Sequence, residues 1–479
     1  MAQSKVHFYG GAGSVTGSNF MLETYTDGPS TSLGIIKNKF LIDCGLFQGE
    51  HALQKNNWDQ WSFDPATITA LIVTHAHIDH IGRIPKLVRD GYRGPIISTK
   101  ATRALAEPML LDALELNERD AKRHKLPALY AKEDIAQALS RWEGIEYHEQ
   151  KTFDDPTHGG ASTTVEFFNS GHILGSALAK FTRGDRSIVF SGDLGGGNSP
   201  LLPLAEIPTG TQYLLVESVY GDRIREDDGD RRDKLENAIE DAVARGGTLL
   251  IPAFSTERTQ DLLFEIRSLM MEKRIPSVPV YLDSPLAEKI TAAYEKYPEY
   301  FNDTIKKRVE DGEHIFAFPE LHYVTTVEES AKLNTMSGPK IILAGSGMSN
   351  GGRVVDHERH VLQDEKSTLL IVGYQAAGSL GRKLAEGAKQ VEMYDIHSHA
   401  AEKIPVRCQV QTLYGYSAHM DGEQLLEYVN KLADANKLEE VFVVMGEIAS
   451  SSFLAQRIRD YLGVKAITPE VGESAIINF

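Results

Sequence analysis

The chain has 479 residues, 42% of them hydrophobic and 24% charged, with a formal net charge of −17 at pH 7. A single hydrophobic core stops growing at roughly 250–300 residues, so two domains are expected, and the composition excludes the disordered and fibrous classes. The acidic balance argues against holding nucleic acid by bulk attraction, and the two cysteines, Cys44 and Cys408, exclude a disulfide framework or a thiolate zinc cage.

Met1 to Gly11 lacks the basic region and apolar core of a secretion signal, and no run reaches the ~18 apolar residues of a membrane helix. A soluble, cytoplasmic chain is therefore expected. In chain order, "VHFYGGAGSVTGSNFMLE" predicts a strand, a glycine loop and a second strand, "KFLIDCGLFQG" a strand running into a turn, and "ITALIVTHAH" an apolar strand ending in histidines. The pattern turns helical between about Lys100 and Glu143, and strands return from Thr163 to Asp193 in "TTVEFFNSGH" and "SIVFSGD".

From about Gln212, apolar strands ("YLLVES", "GTLLIPAF", "VPVYLDSP", "PKIILAGSG", "STLLIVGY") alternate with helices, in which Leu235, Ile239 and Ala242, or Leu262, Ile266 and Leu269, fall at helical spacing. Such alternation predicts a parallel α/β sheet. Near Ile404 strand texture resumes in "IPVRCQVQTLYGYSAHMD", followed by a helix, the strand "EVFVVMGE" and another helix. The charged stretch Glu226 to Asp233 reads as an exposed loop and helix start.

The chemistry sits where strands end. His75 and His77, two apart on extended chain, can point at one ion, and Asp79 and His80 follow, enough for two neighbouring sites. Imidazole and carboxylate suit Zn²⁺, with Mn²⁺ or Fe as competitors. "NSGHILGSA" adds His172 and "IVFSGDLGGG" adds Asp193, whose carboxylate can bridge two metals. Asp43, in "LIDCG", is either a turn residue or the acceptor that fixes a ligand histidine's tautomer.

This series resembles the metallo-β-lactamase fold, a sandwich of two sheets between helices. "LLVESVYGDR" around Glu217, "YGYSAHMDGEQL" around His419 and "FVVMGE" around Met445 resemble the extra motifs of the β-CASP nucleases, the family that includes ribonuclease J and the endonuclease of pre-mRNA cleavage. "PAFSTERTQDLL", "YLDSPLA" and "GSGMSNGGR" resemble that family's inserted domain, and nearly the whole chain is covered. With no additional carboxy-terminal RNA-binding domain of the ribonuclease J kind, the sequence looks closer to the pre-mRNA cleavage branch.

The resemblance implies an α/β architecture: a discontinuous metallo-β-lactamase domain at 1–209 and 401–479, with an inserted β-CASP domain at 210–400. It implies that His75, His77, His172 and Asp193 hold one Zn²⁺ and that Asp79, His80 and the shared Asp193 hold a second. Asp79, Glu217 and His419 would serve catalysis, His419 contacting the scissile phosphate or protonating the leaving oxygen. The family carries a histidine where Met445 stands, and it completes the second site. A thioether is a soft, weak ligand, so a weaker second site is expected.

In the loop Ala344 to His357, backbone amides around Ser346 and Gly347 and a helix amino terminus can face a phosphate, and Arg353 can add a charge-assisted contact. His397 and His399 read as a polar turn, and Arg258 as a helix-start residue. The expected function is a metal-dependent ribonuclease hydrolysing phosphodiester bonds of single-stranded RNA, internally or from the 5′ end, through a metal-activated water in an interdomain groove. Two alternatives stand beside it: an RNA-binding or scaffold subunit weakened by Met445, and a metallohydrolase of small esters or thioesters. A homodimer is expected by family analogy alone.

Overall fold

The computed structural model describes residues 3–25, 36–48, 56–154, 161–224, 231–373, 375, 378–395, 400–433 and 437–479. His397, His399 and most of the charged stretch after Arg225 lie outside the described residues; Arg231 to Asp233 of that stretch begin the helix Arg231–Arg245. Two compact units are formed, one of Met1–Gly197, Leu202–Ile224 and His419–Phe479, the other of Asn198–Leu201 and Arg225–Ala418. Among the described residues no helix is long and apolar enough to cross a membrane.

The first unit contains two seven-stranded sheets. One runs β22 (Ser474–Asn478), β1 (Gln3–Gly10), β2 (Asn19–Tyr25), β3 (Ile36–Ile42), β4 (Ala70–Ile72), β5 (Ile96–Thr99) and β6 (Trp142–Ile145). The other runs β21 (Lys465–Ile467), β20 (Glu440–Val444), β11 (Tyr213–Glu217), β10 (Arg186–Phe190), β9 (Ala177–Arg183), β8 (Thr163–Asn169) and β7 (Gln150–Phe153).

Period-2 alternation explains the packing of the second sheet. Tyr213, Leu215, Phe442 and Val444 share an inner core with Phe8, Phe20 and Phe40 of the first sheet. Rings meet across that core, Phe40 with Phe181 at 5.2 Å and Phe8 with Phe442 at 5.6 Å. Leu214, Val216, Val441 and Val443 point the other way, onto Leu425, Val429 and Leu454 of the helices Gly422–Ala433 and Ile448–Arg457. A sheet covered on both faces leaves its strand ends as the place where loops can gather polar groups.

The second unit is built on a six-stranded sheet in the order β14 (Leu321–Tyr323), β13 (Val280–Asp283), β15 (Lys340–Ala344), β12 (Thr248–Pro252), β16 (Thr368–Val372) and β19 (Gln409–Leu413). Every pairing in it is parallel, and β17 (Gln390–Asp395) and β18 (Ala400–Pro405) form a separate antiparallel hairpin.

Two stretches sit elsewhere than their texture suggested. β11 pairs in parallel with β10 and β20, inside the first unit, so that unit extends past Thr209 to Ile224. β19 pairs with β16, so the stretch from Ala401 to Ala418 stays in the second unit. A short apolar run buried on both faces has no alternation that tells one sheet from another.

Candidate metal centre

β4 ends at Ile72, and the extended chain carries on with Val73 N–H donating to Ile97 O at 2.8 Å. His75 follows, fully buried, and His77 caps the single helical turn Ile78–Ile81. The extended cap conformation at His77 turns its ring back toward His75, whose Nε2 lies 3.1 Å from His77 Nδ1.

His172 comes from the loop after β8. Ser176 Oγ accepts from the amides of His172 and Ile173 at 3.0 and 3.1 Å, while Thr99 and Thr102 hydroxyls donate to Gly175 O. A Cβ on Gly175 would fall 2.6 Å from the Ala101 Cβ, and its φ of +74° favours glycine as well. The loop thus presses tightly against the start of the helix Lys100–His124.

Asp193 follows β10. Gly195, two residues on, passes so close to the His172 loop that a Cβ would sit 1.8 Å from Gly171 O. Gly195 also bridges to His419, and Met420 N–H donates to Leu194 O at 2.8 Å, which joins three chain segments beside the histidines.

The donor atoms converge. His77 Nδ1 lies 3.2 Å from His172 Nε2, and Asp193 Oδ2 lies 3.5 Å from His75 Nε2 and 3.4 Å from His172 Nε2. Four ligands at roughly 2.0–2.2 Å around a tetrahedral ion would be separated by about 3.3–3.6 Å, close to these distances, and all four donor atoms lie within 4.8 Å of one another. Burial, together with the neighbouring His75, pushes His77 well below the usual imidazole range despite Asp193. Burial and His419 do the same to His172. Both rings therefore keep lone pairs for an ion.

A second donor set adjoins the first. His80 Nε2 is 3.4 Å from Asp193 Oδ1 and 4.0 Å from Asp79 Oδ2. Both His80 Nε2 and Asp193 Oδ1 are buried without a hydrogen-bond partner, a costly arrangement unless something else satisfies them. Burial disfavours charge on His80, yet Asp193 and Asp43 on either side hold its proton well above the usual range. Burial likewise opposes ionisation of Asp193, but His80 and His75 hold its carboxyl well below the usual range. A cation between these groups would take over the role of that proton.

Asp43 is placed as a support. Its Oδ2 lies 2.7 Å from His80 Nδ1, its Oδ1 accepts from Thr74 N–H at 2.8 Å, and the hydroxyls of Thr74 and Ser18 donate to it. A carboxylate at Nδ1 directs Nε2 of His80 toward Asp193. Thr74 and Ser18 were not singled out from sequence; only the adjacency of Thr74 to His75 hinted at a role.

Beside these sets, the fully buried Glu217 accepts from Leu194 N–H at 2.8 Å and lies 3.0 Å from His419 Nδ1. The His419 ring stacks obliquely on His172 at 4.6 Å and meets the edge of Tyr220 at 5.8 Å. Burial would lower the His419 imidazole, but Glu217, with Asp193 and Asp79, pushes it up to about 9.

Met445 departs from both donor sets. It follows β20 at a φ of +48°, its N–H donates to Gly11 O, and its side chain is 2% exposed within the inner core. A Cβ on Gly11 would lie 2.4 Å from the Met445 sulfur. Met445 and Asp43 border one small cavity of about 10 Å³, with Thr74 and Ser191 on its polar side.

The expected phosphate loop lies in the second unit. Ser346 and Gly347 follow β15, with Gly347 O accepting from Gln375 Nε2 at 2.9 Å. Arg353, expected to reach a phosphate, instead donates to Asp283 Oδ1 at 2.6 Å and to the Val324 and Thr325 carbonyls. β13 and β15 are neighbours, which brings the carboxylate at the end of one strand to the loop of the other. Arg258 opens the helix Arg258–Met271 and donates to Val372 O.

Comparison with known proteins identifies the domains of the chain. Residues 33–253 match the metallo-beta-lactamase superfamily, residues 259–384 the Beta-Casp domain, and residues 403–469 the Zn-dependent metallo-hydrolase RNA specificity domain. The chain is 33% identical over 413 residues to Ribonuclease TTHA0252 of Thermus thermophilus, covering 86% of this chain and 90% of that protein. It is 32% identical to Transcription termination factor FttA of Methanocaldococcus jannaschii, covering 95% of this chain and 69% of that one. An RNase J-like protein of the same organism is 31% identical, covering 91% and 93%. A crystal structure of an Enterococcus faecalis protein of unknown function shares the fold at a TM-score of 0.54 and 14% identity, covering 99% of this chain and 100% of that one. The chain belongs to the β-CASP family of metallo-β-lactamase-fold hydrolases.

Proposed function

We propose that the chain is a metal-dependent ribonuclease that hydrolyses phosphodiester bonds of single-stranded RNA. The observation that carries this reading is the four-donor set of His75, His77, His172 and Asp193 lying against the Glu217–His419 pair, with all six side chains within hydrogen-bond or ligand reach of a neighbour. On this reading those four residues hold one Zn²⁺, and Asp79, His80 and the shared Asp193 hold a second ion less tightly. Divalent ions in such a pair lower the pKa of water and offset charge on phosphoryl oxygens.

The chain's own side chains supply the rest. Glu217, fixed by the Leu194 and Val219 amides, anchors the protonated His419 through Nδ1 and so leaves Nε2 to protonate the departing oxygen of the substrate. Asp43 keeps His80 oriented toward Asp193. Zn²⁺ is the proposed metal, with Mn²⁺ or Fe as substitutes, because every donor is imidazole or carboxylate.

One experiment tests the proposal: 5′-labelled single-stranded RNA incubated with the protein plus Zn²⁺ or Mn²⁺, beside His77→Ala. Cleavage that disappears in the folded variant is the expected result, and product lengths separate internal cutting from trimming at the 5′ end. Cleavage unchanged in a folded His77→Ala would overturn the assignment. The buried Met445 favours a second reading, an RNA-binding subunit; RNA bound but intact with every metal supplied is its signature.

A further inference from the structure

Outside the metal centre, the first unit carries a concavity that none of the roles above uses. The chain leaves Glu217 through Tyr220, whose ring faces His419, and continues as Gly221 to Ile224. Gly422 N–H donates to Arg223 O at 2.8 Å, and a Cβ on Gly221 would fall 2.9 Å from Ser450 O. These two glycines let the loop lie against the starts of the helices Gly422–Ala433 and Ile448–Arg457. The result is a cavity of about 280 Å³ bordered by Arg223, Ile224, Glu423, Phe453, Arg457 and Tyr461.

Its walls have a specific order. Phe453 and Arg457 lie four residues, about 6 Å in rise, apart on the helix Ile448–Arg457, and Tyr461 follows on the π-helical turn Ile458–Leu462. The Arg457 guanidinium lies over both rings, 5.8 Å from the Phe453 centroid and 5.6 Å from that of Tyr461, and it donates to Glu423 at 2.8 Å. Tyr461 is 71% exposed and Phe453 47%, with Ile224 beside them at 69%. Flat aromatic planes open to solvent are surfaces on which unpaired bases stack.

We infer that this concavity is a base-stacking subsite for the single-stranded RNA flanking the scissile phosphate, reached from His419 by way of Tyr220. The inference rests on the ribonuclease reading and deepens it. Continuity with the catalytic pair favours RNA as the occupant, since Gly221 lies four residues after Glu217 at the end of β11, and Gly422, three residues after His419, opens the helix Gly422–Ala433. Among the described residues the charged side chains bordering the cavity are paired, Asp222 with Arg223 at 3.3 Å and Glu423 with Arg457 at 2.8 Å.

The test compares wild type with Phe453→Ala/Tyr461→Ala and with Arg457→Gln. Binding of a fluorescent single-stranded RNA is read by anisotropy in chelator, steady-state cleavage is measured on long RNA and on a dinucleotide, and 5-iodouridine RNA is photocrosslinked and mapped. The aromatic double variant should bind on the order of tenfold more weakly, with the loss falling on KM rather than kcat and growing with RNA length. Crosslinks should map to Tyr461 or Phe453. Wild type that cuts RNA while the variants keep its affinity overturns the subsite alone. Variants that change only the oligomeric state, with RNA affinity retained, overturn it in favour of a protein interface. Wild type that neither binds nor cuts RNA overturns the ribonuclease reading and the subsite with it.

Discussion

Met445→His restores an imidazole donor where the thioether stands, and its effects should change sign with metal. In the metal-free protein the Met445 side chain is 2% exposed and packed in the inner core against Gly11. The smaller, polar imidazole forfeits part of the roughly 1.5–3 kcal/mol that burying a methionine contributes, and an unpaired polar group there costs roughly 1–3 kcal/mol. A net loss of about 2–4 kcal/mol is expected in chelator. If, as proposed, a second ion sits between Asp79, His80 and Asp193, the new ring would join them, and an ion held at a hundred times its Kd would add about 2.7 kcal/mol. The gap to wild type should therefore nearly close in excess Zn²⁺ or Mn²⁺. Denaturant unfolding in chelator and in metal measures the gap, and elemental analysis after dialysis counts the ions. Wild type that already retains two equally tight ions refutes the reasoning, as does a gap that metal leaves unchanged.

Three other outcomes are expected. Asp43→Asn keeps a residue that tolerates the positive φ of this position but removes the charge beside His80, and should weaken metal binding about 10–100-fold; titration by calorimetry checks it. In metal-free protein, the His419–Glu217 interaction raises the folded pKa of His419 from 6.5 to about 9, so its stabilisation is complete below the unfolded value and fades as pH rises through about 9. Urea unfolding in chelator across that window should show the loss, and His419→Gln should flatten it. In the second unit, burial pushes Glu358 up to about 8 although Ser349 donates to it, so its contribution fades as pH climbs from the ordinary carboxylate range through 8. Glu358→Gln should be the more stable protein at alkaline pH by thermal melting, and an unchanged pH profile would count against a buried neutral acid there.

The parts of the site that could be read in advance were those whose residue types are rare at strand ends. His75, His77, His172 and Asp193 needed only the inference that strand ends meet, and the two-sheet sandwich brings their donor atoms within 4.8 Å of one another. The supports were harder to see because their partners lie far along the chain. Asp43 could be a turn residue until Thr74 and His80 are seen around it. Arg353 looked free to bind phosphate because "YLDSP" gives no sign that Asp283 ends on the neighbouring strand. β11 and β19 were ambiguous for a different reason: parallel pairing partners are set by topology, and a five-residue apolar run carries little of it.

Asp193 touches both donor sets, Oδ2 facing His75 and His172 while Oδ1 faces His80. One rigid carboxylate cannot be aligned for the first set without also being aligned for the second, so the two positions are thermodynamically linked. On the two-ion reading proposed above, an ion at the four-donor position would fix the rotamer that the three-donor position requires, and by reciprocity an ion at the weaker position would strengthen the stronger by the same factor. Affinity for a second ion would then be a property of the pair and not of either position alone.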